Sequence, residues 1–227
     1  MKKYLILFAS LSLIVFMVFL FGGCTFSSAN ENNISDLRQG IYDGQCEEYN
    51  ATFVYGTREN PYLADGVANK MVEFGIISVI FETKPTENET TEFLLEIDGK
   101  KTVSGTLEKS PYTNEYMADI GATVPDGSTL KLIVKLNGEE ISVPLTNQNT
   151  SWQINSSKAY EIGKNALKNE IAEIKNNNQS YELHIKITTQ QETNFGKYYW
   201  QVTVISSSGK KHNVLFSPQS EEILLKN

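Results

Sequence analysis

The sequence predicts a mostly-β protein, with an N-terminal β-sandwich followed by an α+β region in which one helix packs on an antiparallel sheet. Three observations predict it. From about residue 45 to 146, short apolar segments alternate or run continuously with β-branched residues, and turn pairs such as Asp98-Gly99 and Asn137-Gly138 separate them. Over 157–177 the apolar period lengthens to 3.6. From 181 to the C-terminus it returns to two.

Within 45–146 seven segments read as strands. Residues 51–56 are short and aromatic, and 73–83 form a nearly continuous apolar run suited to a strand covered on both faces. Segment 91–97 stops at Asp98-Gly99, and 101–108 follows as its alternating partner. Segment 114–120 leads to the turn at Val124-Pro125-Asp126-Gly127. Segment 129–136 places Leu130, Leu132, Val134 and Leu136 on one face, and 139–145 returns beside it after Asn137-Gly138. Residues 62–72 read as a short helix or a crossing loop. Seven strands with frequent turns and no long helix make a small sandwich, which resembles an immunoglobulin-like domain in layout only, since no Cys-Trp-Cys core is present.

Residues 147–156 are rich in Asn, Gln, Ser and Thr and read as a linker, with Trp152 expected to pack into a domain edge. The helix predicted over 157–177 carries Tyr160, Gly163, Leu167, Ile171 and Ile174 on one stripe. Gly163 disfavours a helix by about 1 kcal/mol relative to Ala, a cost acceptable where a helix lies closely on a sheet. Strands are expected at 181–189, 195–207, 212–216 and 221–226. Residues 157–227 resemble a PepSY domain through the helix AYEIGKNALKNEIAEI, the stretch YYWQVTVISSSGKKHNVLF and the return strand EEILL. Ser217 and Glu221 depart from that family's usual Asp and Gly. The resemblance implies binding without catalysis, the restraint or recognition of a peptidase being the proposed role of such modules.

The chain begins with Lys2 and Lys3, continues through an apolar run from 4 to 21, and closes it with Phe21-Gly22-Gly23-Cys24. The tetrapeptide resembles the lipobox of bacterial lipoproteins, with Phe21 where Leu is usual. That implies a signal peptide over 1–23, cleavage before Cys24 and acylation there, with palmitate as one such chain. It places the protein on the extracytoplasmic side of the cell membrane, since two or three acyl chains anchor stably. Residues 24–44 read as the lipidated cysteine and a flexible tether, whose polar stretch from 25 to about 42 has an extended limit of about 60 Å.

The chain holds 20 basic and 27 acidic side chains, and loss of Lys2 and Lys3 leaves a net charge of −9. Such a surface opposes phosphate backbones, so nucleic acid is not an expected partner. With Cys24 acylated, Cys46 stands alone and no disulfide forms. Glu47 and Glu48 beside it raise a thiol pKa rather than lower it, which argues against a nucleophile. His184 and His212 lack metal-pair spacing and read as exposed sheet residues, and Asp98 and Asp126 read as turn formers without calcium-loop partners. No catalytic residue, cofactor or metal ligand is expected.

These readings converge on a lipid-anchored binding or accessory protein of the envelope. Its partners are the membrane, through lipid on Cys24, and an envelope or secreted protein. The competing readings are a hydrolase with a site between the two regions and a non-catalytic cell-wall spacer or sensor.

Overall fold

Strand β1 (Ile34–Gln45) joins the two halves of the molecule in the computed structural model, which describes residues 33–86, 90–125, 127–136, 138–189 and 198–227. On one side it pairs antiparallel with β2 (Tyr49–Glu59), from Asp36↔Arg58 to Gln45↔Asn50. On the other it pairs in parallel with β10 (Tyr181–Thr189), through Ile34↔Leu183 and Leu37↔Ile185. Beyond β2 the sheet continues through β3 (Met71–Phe81), β7 (Tyr116–Ile120) and β6 (Glu108–Lys109). Beyond β10 it continues through β11 (Tyr198–Ser206), β12 (Lys211–Phe216) and β13 (Ile223–Lys226).

A second layer takes the order β5 (Lys100–Thr106), β4 (Glu92–Ile97), β8 (Leu130–Leu136), β9 (Glu139–Asn147). The end of β9 returns to β1 at Tyr42↔Asn147 and Asp43↔Thr146. Alternation sets the faces here: Leu130, Leu132 and Val134 are buried, whereas Lys131 and Lys135 point to water. The Asp98-Gly99 corner has φ of +52° and +71°, and Gly138 has +83°, the left-handed geometry that tight hairpins demand.

Two cores result. Tyr42, Tyr49, Phe53, Ile77 and Val79 pack against Leu95, Leu132, Val134 and Val143 of the second layer. Leu183, Ile185, Trp200, Val202, Val214 and Phe216 pack under the helical segment together with Ile41 and Val54. The mostly-β composition agrees with the sequence, and residues 33–227 form one compact unit in which both cores share β1.

Three expectations need correction. Residues 34–44, expected as tether, lie in β1. Their polar side chains have partners remote in sequence: Asp36 pairs with Lys186 at 3.3 Å, and the Arg38 guanidinium donates to the Ile187 carbonyl at 3.4 Å. Residues 147–156, expected as linker, are built into the unit. Within a 3₁₀ turn at Gln148–Ser151, Asn149 Oδ1 accepts the Ile41 N–H at 2.8 Å. Ile154 is buried, and its carbonyl accepts the Trp200 indole N–H at 2.9 Å. Trp152 does pack at the edge, 5.5 Å from the Trp200 ring and 5.9 Å from Tyr198.

The helix expected over 157–177 is two segments, α1 (Ser156–Ala166) and α2 (Lys168–Asn176). Leu167 leaves helical geometry with φ −100° and ψ 16° and is completely buried. Asn155 caps α1 by accepting the Lys158 N–H at 2.9 Å. Gly163 explains itself: a Cβ there would lie 2.4 Å from the Val202 side chain.

Candidate functional site

The strand pattern of β10 sends Leu183, Ile185 and Ile187 into the helix-covered core, so Glu182 and His184 leave by the opposite face. That face is not open to water. Residues 60–70, which connect β2 to β3, fold over it and leave Glu182 with no exposure and His184 with 8%. The segment expected as a short helix or a crossing loop is thus a loop. It is fastened by the Ser180 hydroxyl donating to the Asp65 carbonyl at 2.9 Å, and by the close approach of Gly66, φ +76°, to the Ser180 backbone.

The Glu182 carboxylate is the centre of the fastening. Its Oε2 accepts the Ser35 hydroxyl at 3.1 Å, while Oε1 accepts the Tyr62 hydroxyl and lies 3.2 Å from His184 Nε2. An ionised carboxylate only accepts, so Nε2 carries the imidazole proton in this arrangement. The Tyr62 ring meets the His184 ring edge-on at 5.5 Å. Burial pulls the Glu182 carboxyl upward, but the hydrogen bonds from His184, Tyr62 and Ser35 and the electrostatic attraction of the His184 ring outweigh it and hold the group below the usual carboxylate range. Burial and the adjacent Glu182 charge push the Tyr62 phenol well above its ordinary value, so at neutral pH it stays a donor.

Above this buried cluster the loop displays apolar side chains. Tyr62, Leu63 and Val67 are 46%, 51% and 47% exposed. At the other end of the same strands, β6 and β7 enclose residues 110–115. There Ser110 Oγ accepts the N–H of Tyr112 and of Thr113, at 3.3 and 3.2 Å, and Tyr112 stands 93% exposed. Register separates these ends. Glu59↔Met71 lies beside the 60–70 loop, whereas Tyr49↔Phe81 and Val79↔Tyr116 lie beside the hairpin. The outer face of the second layer adds a groove of about 390 Å³ between Leu94, Ser104, Ile133 and Lys135, and the Lys135–Glu92 ion pair at 3.6 Å borders it.

Cys24 lies outside the described residues. Cys46 is partly buried beside the second-layer core, and its thiol lies 3.5 Å from the Tyr49 carbonyl. Burial, with the Glu48 charge, pushes this thiol above its ordinary value. The expectation that His184 is exposed is overturned by the covering loop. Its signal in the sequence is the pair Glu182 and His184 on either side of Leu183, but only a contact from the distant loop makes them buried. His212 stands on β12, with β11 between it and β10, and the structure does not bring the two histidines together. Among the described residues no group of three or more His, Cys, Asp or Glu is placed to hold a metal ion. Nor is any described helix long and apolar enough to cross a membrane.

Comparison of the chain with protein-family models, with curated proteins and with solved structures finds no match.

Proposed function

We propose that the protein is a lipid-anchored, extracytoplasmic binding or accessory protein, tethered through Cys24 and meeting an envelope or secreted protein at the 110–115 hairpin. Lys2, Lys3, the apolar run and Phe21-Gly22-Gly23-Cys24 support the anchor. The observation that carries the binding role is Tyr112. It stands almost fully exposed at the end of the strands remote from Asn33, where the described unit begins. A tyrosine combines a large apolar ring with a hydroxyl and has few rotamers to lose, the chemistry favoured at protein contacts. The resemblance of 157–227 to PepSY points to a peptidase as the partner, restrained or recognised without catalysis by this chain.

The test replaces Tyr112 with a photo-crosslinking amino acid in intact cells and identifies adducts by mass spectrometry. A reproducible protein adduct from position 112 supports the reading; only background at that position overturns it. Metabolic labelling with an acyl analogue and intact-mass measurement test the anchor separately. A wild-type protein that keeps residues 1–23 and carries no acyl chain overturns that half.

A further inference from the structure

The 60–70 loop and the start of β1 meet on one carboxylate. Ser35 Oγ donates to Glu182 Oε2 at 3.1 Å and Tyr62 donates to Oε1, while the Leu183 N–H donates to the Asn33 carbonyl at 2.6 Å. The exposed side chains of Tyr62, Leu63 and Val67 therefore emerge beside the point where the described chain begins. Only nine peptide steps separate Cys24 from Asn33, which limits their separation to roughly 30 Å even when fully extended. A bilayer holding acyl chains on Cys24 is thus always within a short reach of this loop, at a high effective concentration.

The chemistry of the loop suits that surface. In a chain whose side chains are 21% charged, residues 60–70 carry two charges: Asp65, whose carboxylate is turned back to accept the Val67 N–H at 2.9 Å, and Lys70 at the far end, next to β3. Between them the display is the ring of Tyr62, whose hydroxyl is turned inward to Glu182, together with Leu63 and Val67, apolar surface that settles at the boundary between headgroups and acyl chains. The buried Glu182 and Gly66 contacts hold the loop in place from beneath, so little order has to be gained on contact.

We propose that the Tyr62–Val67 loop docks on the bilayer that holds the lipid of Cys24, by apolar contact that needs no anionic headgroup. This rests on the lipid-anchor reading. It orients the unit with its β2–β3 connection against the membrane and the Tyr112 hairpin directed away from it.

The test uses the full-length acylated protein in phosphatidylcholine vesicles, with Cys46→Ala and a single environment-sensitive fluorophore on Leu63→Cys, Val67→Cys or Tyr112→Cys. All three positions are exposed, so labelling leaves the cores intact. The expected result is a blue-shifted emission at 63 and 67, and quenching by nitroxide-labelled lipid at least about twofold greater there than at 112. Adding phosphatidylglycerol is not expected to strengthen it, given the net charge of −9. Equal quenching at all three positions, in protein whose mass shows the acyl chains, overturns the docking alone. Protection of 63 from aqueous iodide without lipid quenching overturns it in favour of a second copy of the chain covering the loop. A mass lacking acyl chains overturns the anchor reading, and the docking with it.

Discussion

Ile41 and Tyr42 are neighbours in β1 yet are buried in different cores. Ile41 packs with Val54 under the helical segment, and Tyr42 packs with Phe53 and Tyr55 against the second layer. Their cross-strand partners divide in the same way, Ile41↔Val54 and Tyr42↔Phe53. The strand therefore transmits the loss of either core to the other. Ile41→Ala is expected to cost about 2–5 kcal/mol. Both tryptophans report on the helix-covered core, whereas far-UV circular dichroism reports on all strands. The two signals should keep coincident denaturation midpoints in wild type and variant. A tryptophan transition that shifts while the dichroism transition stays in place would show the two cores unfolding independently.

Gly163 sits on Val202, and this contact sets the distance between α1 and the sheet. In an exposed helix Gly→Ala gains about 1 kcal/mol. Here the added methyl lies 2.4 Å from a β-branched side chain of a central strand that cannot rotate away. Gly163→Ala is expected to destabilise by about 1–3 kcal/mol. Combining it with Val202→Ala should recover part of that loss, giving a coupling energy of opposite sign to the single effects. Strict additivity in denaturant titrations would place the strain elsewhere.

Much of the strand pattern was legible because alternation is a local signal: Leu130, Leu132 and Val134 each follow the same rule without reference to the rest of the chain. β1 was not legible for two physical reasons. Register shifts between Ile34 and Asp36 and between Arg38 and Gly40 interrupt its period. Its charged residues are also compensated from β10, with Asp36 on Lys186. The Glu182 cluster was half legible. Alternation takes His184 away from the face of Leu183, and the same rule applies to Glu182, but whether that face meets water depends on a loop with no period of its own. Nothing near Tyr62 in sequence announces a partner at Glu182.

Cys46 provides a check on the end of the sheet near the hairpin. Because burial and Glu48 raise its thiol, the fraction of thiolate at neutral pH lies below that of a free cysteine. Alkylation of native protein in which Cys24 is acylated should be slow near pH 7. Its rate should still be climbing above about pH 8.5, where an unperturbed thiol is half ionised. Unfolding in urea should abolish the difference. A native rate equal to that of the unfolded chain across this range would mean that the thiol is free of both influences.

The Glu182 cluster predicts how stability depends on acid. The carboxyl is held below its unfolded value, near 4.3 for Glu, so the folded state favours the ionised form. Its contribution is fully present above that unfolded value and is lost as pH falls through the lower folded value. Glu182→Gln removes this dependence and leaves one donor facing an amide N–H, at a cost of about 2 kcal/mol at neutral pH. Tyr62→Phe removes a bond at a half-exposed ring and should cost about 1 kcal/mol while raising the carboxyl back toward its ordinary value. Denaturant midpoints from about pH 3 to 8 separate these effects. Asp98 is held low by the Thr129 N–H, and Glu170 by Lys226, so both continue to contribute in the variant. The expected outcome is therefore a shallower decline in acid for Glu182→Gln, and a smaller gap between variant and wild type at pH 3 than at pH 7. A constant gap across the range would show that the carboxylate charge is not what fastens the loop.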